Sequence, residues 1–190
     1  MRTLETDRLR IREFTRDGND LDAVVSLLDA CFGPAPRSER QAWLDWTVRN
    51  YVALAQLHQP PYGDCAVVLK SSDEVIGAVG LVPSFGPFEK LSGLGLPRRG
   101  KPTVRFTPEL GLYWAIAPAH RGCGFATEAG RAMARFAFDE LQAARLVATT
   151  EHDNAASIAV MRKLGMTIER NPDPEPAWFQ TIGVLLASST

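Results

Sequence analysis

The stretch from Glu109 to Gly165 constrains this chain more than any other. It opens with an apolar run from Leu110 to Ala117, which Pro118-Ala119-His120 breaks. Arg121-Gly122-Cys123-Gly124-Phe125-Ala126 follows, and then a strongly periodic stretch that reads as a helix. A strand that passes through a glycine loop into a helix is an anion-binding arrangement. The first helical turn carries N–H groups without intrahelical partners, and the macrodipole adds partial positive charge there. Glycines let the loop turn tightly and let a phosphate approach the main chain, which suits a pyrophosphate. Arg121 adds a full charge at the start of the loop.

Two familiar phosphate loops do not fit. A P-loop needs Gly-Lys-Ser/Thr after its glycines, and a dinucleotide fingerprint needs a third glycine and an early strand. Arg121-x-x-Gly124-x-Ala126 instead resembles the Arg/Gln-x-x-Gly-x-Gly/Ala loop of the GCN5-related N-acetyltransferases. The text around it resembles the RimJ/RimL-like branch of that family. The matching pieces are Pro108-Glu109-Leu110-Gly111-Leu112-Tyr113-Trp114, Gly124-Phe125-Ala126-Thr127-Glu128-Ala129, Asn154-Ala155-Ala156-Ser157-Ile158 and Lys163-Leu164-Gly165-Met166. Their order and spacing agree as well, and the resemblance runs from Leu4 to about Leu185.

Composition excludes several other classes. The 190 residues suit one domain with a substantial core, residues 1–190, and 45% hydrophobic with 23% charged residues is ordinary for a globular protein. A net charge of −1 gives no general attraction to nucleic acid or an anionic membrane. No apolar stretch reaches the ~20 residues of a membrane helix, and the first residues lack the apolar core of a signal peptide. Cys31, Cys65 and Cys123 show no metal-ligand spacing, so no metal is expected, and the set suits a reducing cytoplasm. Cys123 sits where a helix N-terminus lowers a thiol's pKa; it reads as a variable loop position rather than a nucleophile.

Along the chain, Arg8-Leu9-Arg10-Ile11-Arg12 alternates and predicts a half-buried strand whose arginines form a solvated face. Asn19 or Asp20 can cap a helix with Leu21, Val24, Val25 and Leu28; Ser38 can cap a second, where Trp43, Trp46, Asn50, Leu54 and Leu57 recur at helical spacing as core. Runs 65–70 and 75–82 predict a hairpin, with Gly77 and Gly80 marking a bulge or close packing. Residues 83–102 are rich in glycine and proline and read as a long loop, either solvated or a flap beside an acceptor site. Thr103 to Phe106 resumes the sheet until Pro108. A helix is predicted from Thr127 to about Gln142, burying Ala129, Met133, Phe136, Ala137 and Leu141 and leaving Glu128, Arg131, Arg135 and Asp139 to solvent. A strand at 146–150, a helix capped by Asp153 or Asn154 and closed at Gly165, a short strand at 166–169 and a last one at 178–186 follow.

Strand–helix alternation alone suggests a parallel sheet. The hairpins and the resemblance point to a mixed α/β fold instead: a twisted, largely antiparallel sheet with helices on both faces and splayed central strands. The resemblance implies direct acetyl transfer from acetyl-CoA to a primary amine in a ternary complex, with CoA as product. The acceptor would be a protein N-terminus or a small-molecule amine, and a homodimer stays open. It assigns Trp114 and Ile116 as main-chain ligands of the pantetheine, and Arg121, Gly122, Cys123, Gly124, Phe125 and Ala126 as the pyrophosphate loop. Asn154 matches a cofactor contact from the following helix. Ser157 matches a serine proposed to protonate the leaving thiolate, or else only bonds backbone in a first helical turn. Glu109 matches a strand glutamate considered as a base, or is a polar edge residue; Glu175 is a second candidate. Many relatives carry a late tyrosine as general acid, and no tyrosine follows Trp114 here. A CoA-binding module without turnover is the competing reading. His120 and His152 read as structural.

Overall fold

In the computed structural model, residues 3–91, 105–171, 173 and 175–187 are described. The period-two pattern near the start becomes β2 (Leu9–Arg12), with Leu9 and Ile11 fully buried, and it pairs antiparallel with the short β1 (Leu4–Glu5). The remaining elements are α1 (Gly18–Phe32), α2 (Arg37–Gln56), β3 (Gly63–Leu69), β4 (Glu74–Gly86), β5 (Thr107–Ile116), α3 (Phe125–Asp139), β6 (Arg145–Thr150), α4 (Ala155–Leu164), β7 (Thr167–Arg170) and β8 (Thr181–Leu186). The strand order is β1-β2-β3-β4-β5-β6-β8-β7, and most pairs are antiparallel. The exception that positions the site is β5, which runs parallel to β6 at the single register pair Gly111↔Val147.

The chain forms two compact units, Met1–Val82 with Tyr113–Arg135, and Pro83–Leu112 with Phe136–Thr190. In the first, α1 and α2 cover one face of the sheet. Phe14, Leu21, Val24, Leu27, Leu28 and Leu44 pack on Ala66, Val68, Ala78 and Ala115. Cys65 through Val68 are all buried, so both faces of β3 are covered. The hairpin forms as expected, with a register shift between Val67 and Val68. Close packing explains its two glycines. A Cβ on Gly77 would lie 2.4 Å from the Ala115 carbonyl oxygen, and one on Gly80 would lie 2.1 Å from that of Gly63. In the second unit, Phe88, Leu91, Val147, Phe179, Ile182 and Val184 form a core, with Phe88 and Phe179 edge-on at 5.0 Å.

Several local expectations are corrected. Asp17, not Asn19 or Asp20, caps α1 by accepting from the Asp20 N–H. Asp20 is instead buried in a two-point ion pair with Arg12, 2.7 Å on each arm. Pro36 precedes α2 with no side-chain cap from Ser38. The inner stripe of α2 is Trp43, Leu44, Thr47, Val48 and Tyr51, so Trp46 and Leu57 are exposed. The large aromatics drew the stripe off by a residue or two. β4 runs through Pro83 to Gly86, and a single tight turn follows at Phe88–Lys90, so the loop begins later than the composition implied. Its residues 92–102 and the expected strand residues Thr103 and Val104 lie outside the described residues. Arg105 and Phe106 carry no strand, and β5 takes up Pro108 rather than being interrupted by it. α3 starts two residues early and stops at Asp139, leaving Leu141 outside it, while Ala129, Met133, Phe136 and Ala137 are buried as expected. The last strand starts at Thr181, because Ala177–Phe179 is a helical turn. Asn154 caps α4, and Gly165 closes it at φ 86°.

Candidate active site

The loop that the sequence singled out has the conformation an anion cradle needs. Gly122 and Gly124 both take positive φ, 77° and 83°, while Arg121 is extended. Positive φ at two positions so close together is the backbone that glycine supplies to anion-binding loops, and here it lies at the head of α3. Gly122 and Cys123 are exposed and Phe125 is buried. A pyrophosphate fits this loop, because a Cβ on Gly122 would meet nothing within 4 Å and one on Gly124 would meet only the Arg8 guanidinium, at 3.6 Å. The Arg121 guanidinium turns back, and its Nε donates to the Ile116 carbonyl at 2.9 Å. It therefore ties the end of β5 to the start of the loop. Ile116 is buried and Trp114 half-buried on β5. The Cys123 thiol lies 3.6 Å from the Arg121 carbonyl and is exposed.

Arg8 holds the loop from β1–β2, and the sequence reading missed it. Its Nη1 donates to the Cys123 carbonyl at 3.1 Å, its Nε and Nη2 reach Glu128 at 2.7 and 2.6 Å, and its guanidinium lies 4.5 Å from the centre of the Phe125 ring. Glu128 also accepts from the Thr6 hydroxyl and the Arg8 N–H. Burial alone would raise the Glu128 carboxyl, but these donors from Thr6 and Arg8 together hold it below the usual carboxylate range. Glu128 is thus not a solvated residue: its negative charge in the first turn of α3 is neutralised by Arg8, which keeps the cradle receptive to an anion. Alternation gave Arg8, Arg10 and Arg12 one role. Only the long-range pairing separates them.

In the first unit, the start of β3 carries an acidic residue that the sequence reading also passed over. Asp64 is largely buried, its carboxylate makes no hydrogen bond or ion pair among the described residues, and desolvation pushes it up to about 6. Its main-chain carbonyl accepts from the Tyr51 hydroxyl at 2.6 Å, and that hydroxyl accepts from the Phe14 N–H at 3.1 Å. Burial raises the Tyr113 hydroxyl, and the Asp64 charge raises it further. The signal available was one carboxylate at the head of an apolar run, but the run was read from Cys65 onward. His120 contacts Glu74 at 3.3 Å.

In the second unit, Glu109 on β5 is held by Arg145 of β6 in a two-point ion pair of 2.6 and 2.7 Å, and its side chain is only 5% exposed. The Glu109 hydrogen bonds lead the causes that raise Arg145 above its ordinary range. Both Glu109 oxygens are occupied. The Asn154 side chain accepts from the Ser157 N–H at 3.1 Å, so that amide is fixed by capping α4. The Ser157 hydroxyl makes no hydrogen bond among the described residues. Glu175 is exposed, on a hollow of about 380 Å³ lined also by Pro87, Lys90, Phe106, Pro176 and Trp178. His152 is bound to Thr181 at 3.1 Å.

Comparison with known proteins agrees with this geometry. An uncharacterized N-acetyltransferase of Bacillus subtilis (strain 168), YnaD, is 29% identical over 103 residues; the match spans 54% of this chain and 49% of that protein. The fold is shared with an acetyltransferase of the GNAT family from Bacillus anthracis (TM-score 0.68, 18% identity, 98% of this chain and 99% of that one). It is shared as well with RimL, a ribosomal L7/L12 alpha-N-protein acetyltransferase solved with coenzyme A (TM-score 0.62, 13% identity, 97% and 98% covered). Residues 8–167, which include the Arg8 anchor, the loop and α4, match the Acetyltransferase (GNAT) domain, and the chain belongs to that family.

Proposed function

We propose that this protein is an acetyl-CoA-dependent N-acetyltransferase that acts on a primary amine, either a protein N-terminus or a small-molecule amine, by direct transfer in a ternary complex. The observation that carries the reading is the Arg8-anchored loop at the head of α3, with both glycines left-handed and its main chain uncovered. Residues 1–190 form one catalytic domain in this reading, working in the cytoplasm. No helix among the described residues is long and apolar enough to cross a membrane.

Bound acetyl-CoA would supply the activated acetyl group. The N–H groups from Arg121 to Ala126 would hold its pyrophosphate, and the main chain of Trp114 and Ile116 would hold the pantetheine. Arg121 keeps the Ile116 end of β5 in place for that contact. Asn154 fixes the head of α4, which presents the uncommitted Ser157 hydroxyl as a proton donor. Glu109 serves as a brace between β5 and β6 rather than as the base, since Arg145 occupies both its oxygens.

Thioester consumption with a panel of amines tests the reading. Turnover with at least one free amine, and none with its N-acetylated analogue, is expected. CoA binding without turnover on any amine would turn the protein into a binding module.

A further inference from the structure

We infer that Asp64 is the acceptor-side carboxylate, binding the ammonium form of the amine and taking its proton before acyl transfer. This rests on the acetyltransferase reading. Three enclosed carboxylates of this unit have cations: Asp20 has Arg12, Glu128 has Arg8 and Asp29 has Arg40. Asp64 has none among the described residues, and a charge left unpaired in a desolvated place is costly unless a ligand completes it. An amine substrate is the cation it lacks.

Its surroundings suit that ligand. Asp64 alternates with Ala66, so it faces the side where α1 and α2 pack. Its register partner on β4 is Gly80, which puts no side chain beside it. All three tyrosines of the chain belong to this region. Tyr51 fixes the Asp64 main chain, Tyr62 lies two residues before it, and Tyr113 on β5 feels its charge. Aromatic faces favour cations. The proton step is simple. One N–H bond of the ammonium breaks, the electron pair stays on nitrogen, the proton goes to an Asp64 carboxylate oxygen, and water later removes it. A carboxyl raised to about 6 is also better matched to an amine near pKa ~8 than an ordinary aspartate is.

The groups that share this region are Glu13, Tyr51 of α2, Cys65 of β3 and Tyr113 of β5, with Cys31 of α1 acting on Tyr113. Burial holds both tyrosine hydroxyls well above their ordinary range and pushes Cys65 up to about 12, so these three stay neutral through neutral pH. Glu13 is the remaining carboxylate, and Glu13→Gln is the control. The experiment uses Asp64→Asn with an alanine-initiated tripeptide as acceptor. We expect kcat/KM for the peptide to fall on the order of 10²–10⁴-fold. The acidic limb of the pH profile should vanish, and CoA affinity by calorimetry should not change. Glu13→Gln should keep the limb. A second readout needs no turnover: the ¹³C carboxyl titration of Asp64 in the wild-type protein, with n-butylammonium or n-butanol added. The midpoint should fall with the ammonium and not with the alcohol. A loss below about tenfold with the limb intact, or a midpoint indifferent to butylammonium, overturns the assignment. If no amine is turned over at all, the acetyltransferase reading fails, and the titration alone decides whether Asp64 binds a cation.

Discussion

Replacing Asp64 by Asn should make the protein more stable at neutral pH. The folded-state carboxyl is pushed up to about 6 by burial, against ~3.9 for an aspartate in an unfolded chain. A folded value above the unfolded one means that the folded state holds the proton more tightly. Stability from this group is therefore fully present below the unfolded value and is lost as pH rises through about 6. At about 1.36 kcal/mol per pH unit, the gap amounts to roughly 3 kcal/mol at neutral pH. Asp64 is not fully enclosed, so water screens part of this, and a gain of about 1–2 kcal/mol is the reasonable expectation. The amide keeps the shape of the carboxyl and carries no charge, and an unpartnered amide costs less than an unpartnered carboxylate. Urea unfolding followed by tryptophan fluorescence would read the difference. Asp64→Asn should unfold at a higher urea midpoint at about pH 7, and its advantage should shrink below ~1 kcal/mol near pH 4. A variant less stable than wild type at neutral pH, or an advantage that does not change with pH, would refute the account of Asp64 as a desolvated, unpaired charge.

Other perturbations probe the framework around it. Gly80→Ala sets a Cβ 2.1 Å from the Gly63 carbonyl oxygen and 3.0 Å from the Asp64 Cα; backbone cannot yield as a side chain can, so a loss of ~1–3 kcal/mol is expected, and an unchanged calorimetric Tm would contradict it. Arg8→Ala strips Glu128 of its cation and the Cys123 carbonyl of a donor. Because Arg8 is half-exposed, about 1 kcal/mol of stability is at stake, with a CoA affinity lower by roughly fivefold. The Glu128 carboxyl is held low when folded, so the contribution is present above the unfolded value and lost as pH falls through the folded one, and the stability gap should close in acid. Ser157→Ala should lower turnover on the order of 10²–10⁴-fold with acetyl-CoA affinity intact. The cap on α4 uses the Ser157 main-chain N–H, which alanine keeps; a loss below about tenfold would reduce Ser157 to a helix residue.

What was legible in the sequence was local. The left-handed glycines of the loop, the buried face of the helix behind it, the choice of Asn154 over Asp153 as cap and the Gly165 stop each depend on a few adjacent residues, and only the ends of that helix fell elsewhere than expected. The errors came where distant residues decide. Glu109 was open between a base and a polar edge residue, and its pairing with Arg145, far along the chain, could not be read from its neighbours. Arg8 and Glu128 looked solvated until they met. Asp20 looked like a cap because its spacing suited one, yet burial of the Arg12 pair claimed it and left the cap to Asp17. Pro83 and Pro108 read as breaks, but both are held within strands.

The measurement that bears most directly on the central claim is CoA binding by calorimetry to the wild-type protein and to Gly124→Val, with pantetheine as the ligand lacking pyrophosphate. Gly124 sits at φ 83°, which a β-branched residue resists, so valine should turn the main chain out of the cradle. The account predicts that the folded variant loses CoA affinity by about tenfold or more, ~1.4 kcal/mol, while pantetheine does not distinguish the two proteins. Undiminished CoA affinity in a folded Gly124→Val protein would mean that the loop from Arg121 to Ala126 is not where the pyrophosphate is held.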